Sequence, residues 1–162
     1  MIAVIACGNP NRCDDGAGLE VLRALRASAF AAEAPQVQLL DAGTDGMAVM
    51  FAAKGARALI VVDACRSGSD PGAIFEVPGA ELQQAYEPTL NLHDFRWDHA
   101  LHVGRVIFKE QFPEDIVVLL IEAESVDFGV GLSAPVSAAV GKVAKRIEAL
   151  IQERLGAEAA LP

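Results

Sequence analysis

The chain has 162 residues and a mass of 17.0 kDa, and 52% of its residues are hydrophobic and 22% charged. This length is usual for one domain with a single large core, so we expect one domain over residues 1–162. The composition excludes disordered, collagen-like and mucin-like chains. The formal net charge of −9 repels phosphate backbones and anionic lipid headgroups, which argues against nucleic-acid and membrane partners.

The apolar runs are too short to span a bilayer, even at residues 58–62 and 116–121. Residues 1–7 contain no basic segment and lead directly into a Gly-Asn-Pro turn, unlike a signal peptide. Three cysteines without a secretion signal predict free thiols rather than a disulfide framework. We therefore expect a cytoplasmic protein.

Short apolar runs alternate with amphipathic stretches in the first half of the chain. Runs at residues 2–7, 37–40 and 59–62 predict strands, and residues 18–28 and 46–53 predict the helices between them. Continuous apolar runs are typical of strands that are covered on both faces, so we expect these three strands in the middle of a parallel sheet. Their order requires right-handed crossovers and helices on both sides of the sheet.

The second half of the chain continues this pattern. Residues 73–77 predict a short edge strand, residues 95–109 a helix, residues 116–121 a strand, and residues 133–155 a final amphipathic helix. The sequence therefore predicts a three-layer α/β/α fold, with a mostly parallel sheet of about five strands and helices on both faces.

Polar clusters follow the first three predicted strands, at residues 8–18, 41–46 and 63–65. In an open α/β sheet the ligand crevice lies beyond the carboxyl ends of the strands. The three clusters therefore bring carboxylates to one edge of the sheet.

The first of these clusters does not match a phosphate-binding loop. It contains neither G-x-G-x-x-G nor G-x-x-x-x-G-K-[ST], and the adjacent carboxylates of Asp14 and Asp15 repel a phosphate. We expect Asp14 to cap the helix that begins near Gly16, and we regard Asp15 as a candidate for the crevice. Asp63 ends an apolar strand, where it is either a hydrogen-bonded loop anchor or a ligand or catalyst.

The three histidines differ in their predicted positions. His99 and His102 have the i, i+3 spacing that can chelate a metal, but no acidic residue joins them on that helix face, so we expect no ligand role. His93 lies in the preceding loop and can enter the crevice. Together, Asp15, Asp63 and His93 predict a site of two carboxylates and one imidazole, which suits a divalent metal of the nickel or zinc type.

The sequence supports a site built on cysteine or serine less well than one built on carboxylates and an imidazole. Cys13 and Cys65 lie two residues from Asp15 and Asp63 and are alternative soft ligands, although we expect them to act as small buried hydrophobic residues. No Ser-His-Asp set or G-x-S-x-G motif can be recognised, so a covalent acyl-enzyme is not expected.

Five short motifs occur in order over almost the whole chain. They are Gly8-Asn9-x4-Asp14-Asp15-Gly16-x-Gly18, Gly43-Thr44-x-Gly46, Asp63-Ala64, His93 with Leu101, and Gly131-Leu132-Ser133-x-Pro135-Val136. Together they resemble the maturation endopeptidases of [NiFe] hydrogenases. The segment LHDFRWDH departs from the family pattern, since it has an aromatic pair and lacks small residues, and we expect a reshaped cleft there.

The resemblance implies an endopeptidase that removes a C-terminal extension from the hydrogenase large-subunit precursor after nickel insertion. It also implies an α/β sheet flanked by helices. It assigns metal recognition and support of catalysis to Asp15, Asp63 and His93, with Asp14 as a structural support. Nickel would be presented by the precursor, and zinc or cadmium can take its place.

Two other functions fit the same residues. A metal-dependent hydrolase of a small molecule would use the carboxylates on a bound zinc or nickel ion, and it predicts tightly held metal in the purified protein. A non-catalytic, flavodoxin-like binding module would hold phosphate in the loop after Gly8, and it predicts that nucleotide raises the melting temperature.

Overall fold

The computed structural model describes residues 1–30, 34–83 and 95–159. The strands are β1 (Ile2–Cys7), β2 (Val37–Gly43), β3 (Ala58–Cys65), β4 (Ile74–Pro78) and β5 (Asp115–Glu122). The longer helices are α1 (Ala17–Ala27), α2 (Gly46–Ala53), α3 (Trp97–Phe108) and α4 (Ala134–Ala159). Short 3-10 turns lie at Cys13–Gly16, Glu81–Gln83 and Lys109–Gln111.

The strands form one mostly parallel sheet in the order β2-β1-β3-β5-β4. β1, β2, β3 and β5 are parallel, and β4 pairs antiparallel with β5 at one edge. The chain passes from β1 outward to β2 and then crosses to β3 on the other side of β1. The strand order therefore reverses between β1 and β3, which is the position where open α/β sheets form their ligand crevice.

Helices cover both faces of the sheet, as the sequence predicted. Ile2 and Val4 of β1 pack in the same core cluster as α1 and α4, whereas Ala3 and Ile5 pack with α2 and α3. This alternation follows from the two-residue period of a strand, and it requires every residue of β1 to be apolar. The predicted three-layer α/β/α fold is confirmed.

The prediction that β2 lies in the middle of the sheet is wrong. Among the described residues, β2 pairs only with β1 and forms an edge, while β1 and β3 are central. Its residues are half-buried or exposed, and the exposed Gln38 interrupts the apolar run. A strand with one polar position in four suits an edge, where solvent reaches part of the strand. The edge position predicted for residues 73–77 is confirmed by β4.

Two element boundaries differ from the prediction in ways that affect the crevice. β3 extends to Cys65 because its pairing with β5 continues to Glu122, so Asp63 lies inside the strand, opposite Leu120. α3 begins at Trp97, and the two preceding residues are in extended or irregular backbone.

Within the described ranges, no helix combines the length and apolar character that crossing a bilayer requires.

Candidate functional site

A cleft of about 240 Å³ opens at the carboxyl ends of β1 and β3, where the strand order reverses. Its walls come from the ends of β1, β2 and β3, the 3-10 turn after β1, the start of α2, and the start of α3. The lining residues are Cys7, Gly8, Asp15, Gly43, Thr44, Asp45, Gly46, Val49, Asp63, Phe95, Arg96 and Trp97. Asp15 and Asp63 therefore share one cleft, as the position of the strand ends predicted.

Asp15 is held at the cleft by the 3-10 turn Cys13–Gly16. Its Oδ2 accepts a hydrogen bond from the backbone N–H of Asn9 at 2.8 Å, and the residue is half-buried. Gly8 makes this arrangement possible, because its φ is +116° and a Cβ there would lie 1.9 Å from the carbonyl oxygen of Asp15. The same Cβ would lie 3.3 Å from Oδ1 of Asp63, so the glycine lies between the two acidic residues.

Asp63 is a buried carboxylate with three hydrogen-bond donors. Its Oδ1 accepts from the backbone N–H of Ala64 at 2.8 Å. Its Oδ2 accepts from the indole Nε1 of Trp97 at 2.8 Å and from Nη2 of Arg96 at 3.2 Å. The residue is 2% exposed, so these bonds replace most of the water that its charge would otherwise require.

Burial raises the pKa of Asp63 to about 6, against the opposing effects of Arg96, the Ala64 N–H and the Trp97 indole. The carboxylate is therefore mostly ionised at neutral pH. The neighbouring thiol of Cys7 also lines the cleft, and burial followed by the charge of Asp63 raises its pKa well above the usual value. Cys7 is thus a neutral thiol and an unsuitable nucleophile at neutral pH.

The segment of Phe95, Arg96 and Trp97 reaches the cleft because Gly46 allows a close backbone approach. The N–H of Gly46 donates to the carbonyl of Phe95 at 3.2 Å. A Cβ at Gly46 would lie 2.3 Å from the Phe95 carbonyl oxygen and 2.7 Å from that of Arg96. The start of α2 therefore fixes the backbone that carries both side-chain partners of Asp63.

The aromatic pair in this segment predicted a reshaped cleft, but no sequence pattern predicted Arg96 and Trp97 as the partners of Asp63. The only available signal was an Arg-Trp pair at the start of a helix expected to pack on the sheet. A single carboxylate in an apolar strand needs such a donor. Its position 33 residues away in the chain is set by the packing of α3 and has no local sequence pattern.

Asp14 has a structural role, but it is not the helix cap that we predicted. α1 begins after Gly16 without a side-chain cap. Instead, the fully buried Asp14 accepts hydrogen bonds from a loop that follows β5: from the N–H groups of Glu124, Ser125 and Ser133, and from Oγ of Ser133. Burial opposes ionisation, yet these bonds outweigh it and hold the pKa of Asp14 below its usual value.

Of the three histidines, His93 lies outside the described residues, which break off at residue 83 and resume at 95. His99 and His102 lie on α3, as predicted, and neither lines the cleft. The Nδ1 of His99 accepts the backbone N–H of Arg96 at 3.3 Å, and its ring stacks on Phe95 with centroids 6.1 Å apart. His99 therefore supports the backbone of the segment that reaches Asp63.

The two candidate cysteine ligands do not reach the cleft. Cys13 and Cys65 are half-buried free thiols outside the cleft lining. The Sγ of Cys65 lies 3.3 Å from Oε2 of Glu122, and burial together with this carboxylate raises its pKa to about 12. Among the described residues, no three His, Cys, Asp or Glu side chains converge to hold a metal ion.

The donor set of the cleft is nevertheless compatible with a divalent cation. Within the described ranges, the Asp15 carboxylate receives one hydrogen bond, at Oδ2, and Oδ1 of Asp63 receives one. A carboxylate oxygen has two lone pairs, so each side chain retains acceptor capacity. Carboxylate oxygens with one imidazole are ligands that nickel and zinc accept. The two carboxylates can therefore supply part of a coordination shell.

Comparison with known proteins identifies the family of this chain. The family model for hydrogenase maturation protease matches residues 20–150. The chain is 30% identical to coenzyme F420 hydrogenase subunit delta of Methanothermobacter thermautotrophicus over 155 residues, covering 90% of this chain and 91% of that protein. It is 25% identical to the hydrogenase 2 maturation protease of Escherichia coli over 153 residues, covering 94% and 91% of the two chains.

A solved structure supports the same fold. The hydrogenase maturating endopeptidase HybD from Escherichia coli superimposes with a TM-score of 0.78 at 23% identity, over 94% of this chain and 93% of that one. The family model covers most of the chain, including β2 to β5 and Asp63. The chain therefore belongs to the hydrogenase maturation protease family.

Proposed function

We propose that this protein is the endopeptidase that removes the C-terminal extension of a [NiFe] hydrogenase large-subunit precursor after nickel has been inserted. The observation that carries the proposal is the meeting of Asp15 and Asp63 in one cleft at the strand-order reversal, in a chain of the maturation protease family. The partner is the large-subunit precursor, and nickel is part of that substrate.

The charge of the cleft supports recognition of a cation. Asp63 is mostly ionised at neutral pH despite its burial, because Arg96, Ala64 and Trp97 stabilise the anion. Asp15 is half-buried and shares the same walls. Two anionic groups in a partly desolvated cleft attract a divalent cation more strongly than two exposed carboxylates do.

His93 is proposed as the third ligand, by its position in the sequence. In the sequence it stands four residues before the start of α3 and two residues before Phe95, which lines the cleft. An imidazole would add a nitrogen donor to the oxygen donors of Asp15 and Asp63. Zinc or cadmium can substitute for nickel at such a donor set.

The role of these residues is to bind the nickel-bearing end of the precursor and thereby place the scissile peptide beside the cleft. Nickel in the precursor supplies Lewis acidity toward a carbonyl oxygen or a water molecule. Asp15, Asp63 and His93 hold that part of the substrate in position, which lowers the entropic cost of the reaction. Cys7 remains a neutral thiol and takes no part as a nucleophile.

The proposal is tested with nickel-loaded and nickel-free forms of the large-subunit precursor. Each form is incubated with the protein, and the products are followed by intact mass. We expect loss of a C-terminal peptide from the loaded precursor alone. Cleavage of both forms at equal rates would contradict recognition through nickel.

Charge-neutral variants locate the site within the same assay. Asp15→Asn and Asp63→Asn should each abolish processing, because each removes one anionic ligand. Asp70→Asn is the matched control, since Asp70 is exposed and lies outside the cleft lining. Normal processing by Asp15→Asn or Asp63→Asn would show that the site assignment is wrong at that position.

A further inference from the structure

Arg96 binds Asp63 in a way that differs from the other donors of that carboxylate. Its Nη2 lies 3.2 Å from Oδ2 of Asp63, yet 62% of the Arg96 side chain is exposed, compared with 3% of the Asp63 side chain. One end of the guanidinium thus contacts a buried anion, while the rest of the side chain is in solvent. An exposed side chain of this length exchanges rotamers readily.

Trp97, the other side chain that donates to Asp63, is far less exposed than Arg96. Its indole donates to the same Oδ2 at 2.8 Å, but Trp97 is 9% exposed and belongs to the core cluster beneath α2 and α3. The bond from Trp97 is therefore fixed by packing. If the Arg96 side chain moves away, Asp63 still receives the Trp97 and Ala64 hydrogen bonds. The carboxylate then loses the positive charge and the hydrogen bond of Arg96 alone.

The backbone of Arg96 does not need to move for this exchange. Its N–H donates to Nδ1 of His99 at 3.3 Å, and its carbonyl accepts the N–H of Ala100 at 3.0 Å. Its carbonyl also lies against Gly46. The anchored backbone keeps the guanidinium within reach of the cleft, whether or not it contacts Asp63.

We propose that Arg96 is a displaceable counter-ion of Asp63, which pairs with the carboxylate in the free protein and leaves it when the nickel of the precursor docks. This inference rests on the proposed function, because it takes Asp63 as a contact for that nickel. A guanidinium and a divalent cation repel each other at the same carboxylate, so Arg96 lowers the affinity for any cation. Arg96 is then a specificity-determining residue.

The consequence is discrimination between free and precursor-bound nickel. Both must displace Arg96 to reach Asp63 and both bear the same electrostatic cost. The precursor makes additional protein contacts that offset this cost, whereas a free ion has none. The pairing of Arg96 with Asp63 therefore keeps adventitious divalent ions out of the cleft and leaves it open to nickel that the precursor presents.

The single tryptophan of the chain is a direct reporter for the test. Trp97 bonds to Asp63, so nickel at this carboxylate should change its fluorescence. Metal-free wild type, Arg96→Gln, Arg96→Lys and Arg66→Gln are titrated with nickel chloride at low ionic strength. Arg66→Gln is the matched control, because it removes the same charge from an exposed residue outside the cleft lining.

We expect Arg96→Gln to lower the apparent Kd for nickel about fivefold or more. The lower limit is the attraction between the charges of Arg96 and Asp63 that nickel must replace, taken as two unit charges about 4 Å apart in water. Arg96→Lys retains the charge and should stay close to wild type, as should Arg66→Gln. Circular dichroism checks that each variant is folded. Asp63→Asn should abolish the nickel-dependent fluorescence change.

Several results would overturn the inference. These are equal or weaker nickel affinity of Arg96→Gln, a tightening of the same size in Arg66→Gln, no nickel response in any of the proteins, or a response that persists in Asp63→Asn. The proposed function is judged separately, by precursor processing. If Asp63→Asn loses processing while Arg96→Gln binds nickel like wild type, the counter-ion role alone is wrong. If Asp63→Asn processes normally, the proposed site itself is wrong.

Discussion

Asp63 is a residue whose ionisation costs stability, and this gives it a distinct signature in pH-dependent unfolding. Burial raises its pKa from 3.8 to about 6, so the folded protein holds this proton at higher pH than the unfolded chain does. Ionisation therefore lowers the free energy of unfolding progressively between about pH 4 and pH 6, and the full loss is present above that range. A residue retained at such a cost fits a functional role.

The corresponding prediction concerns Asp63→Asn, which cannot ionise. The melting temperature of Asp63→Asn relative to that of wild type should increase from about pH 4 to about pH 6 and stay level above that range, because only wild type ionises. A pH-independent deficit should remain below about pH 4, since the amide has one acceptor oxygen and leaves one of the donors to Asp63 unpaired. Thermal unfolding followed by circular dichroism measures this. The variant would then be folded but inactive in precursor processing. A melting temperature far below that of wild type at pH 8 would instead identify Asp63 as a structural anchor.

The histidines give a second prediction at the scale of single residues. His93→Ala should lose nickel-dependent processing, whereas His99→Ala and His102→Ala should retain most of it, because neither of the latter lines the cleft. His99→Ala should slightly lower the melting temperature, since it removes the acceptor of the Arg96 N–H. Processing rates and melting curves of the three variants measure both effects. An inactive, folded His99→Ala would move the metal site onto α3.

At the scale of elements, Asp14 joins the loop after β1 to the loop after β5. Its carboxylate accepts four hydrogen bonds from Glu124, Ser125 and Ser133, and the backbones of Cys13 and Gly129 are also bonded, at 2.9 Å. The loop that carries Asp15 is thus held by a neighbour in sequence that points into the protein. Asp15 is left to face the cleft.

Asp14→Asn should destabilise the protein by about 2 to 4 kcal/mol, because an amide cannot accept all four bonds and leaves buried donors unpaired. Urea unfolding at pH 7 measures this loss. Asp14 has a lowered pKa, so its contribution is complete above about pH 4 and disappears as the pH falls through the folded-state value.

Ser133→Ala is the control for this loop, since it removes only the hydroxyl donor. It should cost about 1 kcal/mol. If Asp14→Asn unfolds at the same urea concentration as wild type, the loop tolerates the loss of this anchor and the prediction is wrong. Nickel-dependent processing by the folded fraction should survive in both variants.

The elements also show where sequence reasoning succeeded. β1 and β3 were predictable because central strands covered on both faces need long apolar runs, which are uninterrupted over residues 2–7 and 58–62. β2 was placed wrongly because three of the four residues at 37–40 are apolar, and a single polar residue, Gln38, is a weak signal of an edge strand. Local pattern gives the type of an element, whereas its rank in the sheet depends on pairings between distant residues.

The candidate site was predictable to the same extent as the strands that build it. Asp15 and Asp63 could be assigned to one cleft because both follow or end strands that meet at the same edge of a parallel sheet. The roles of Arg96, Trp97 and Asp14 could not, since each bonds to a partner 33 or more residues away. Such contacts depend on how helices and loops pack, and short sequence patterns do not encode that packing.

For the whole molecule, the excess of 22 acidic over 13 basic residues gives a formal net charge of −9, which affects its encounter with a partner. Opposite charge accelerates association and like charge slows it, so we expect the contacting surface of the precursor to be neutral or basic. The kcat/KM for processing nickel-loaded precursor should therefore fall as sodium chloride is added. The kcat at saturating precursor should change little, because it does not depend on encounter, and it serves as the control. A kcat/KM that stays constant up to about 0.5 M salt, where the Debye length is about 4 Å, would rule out electrostatic steering.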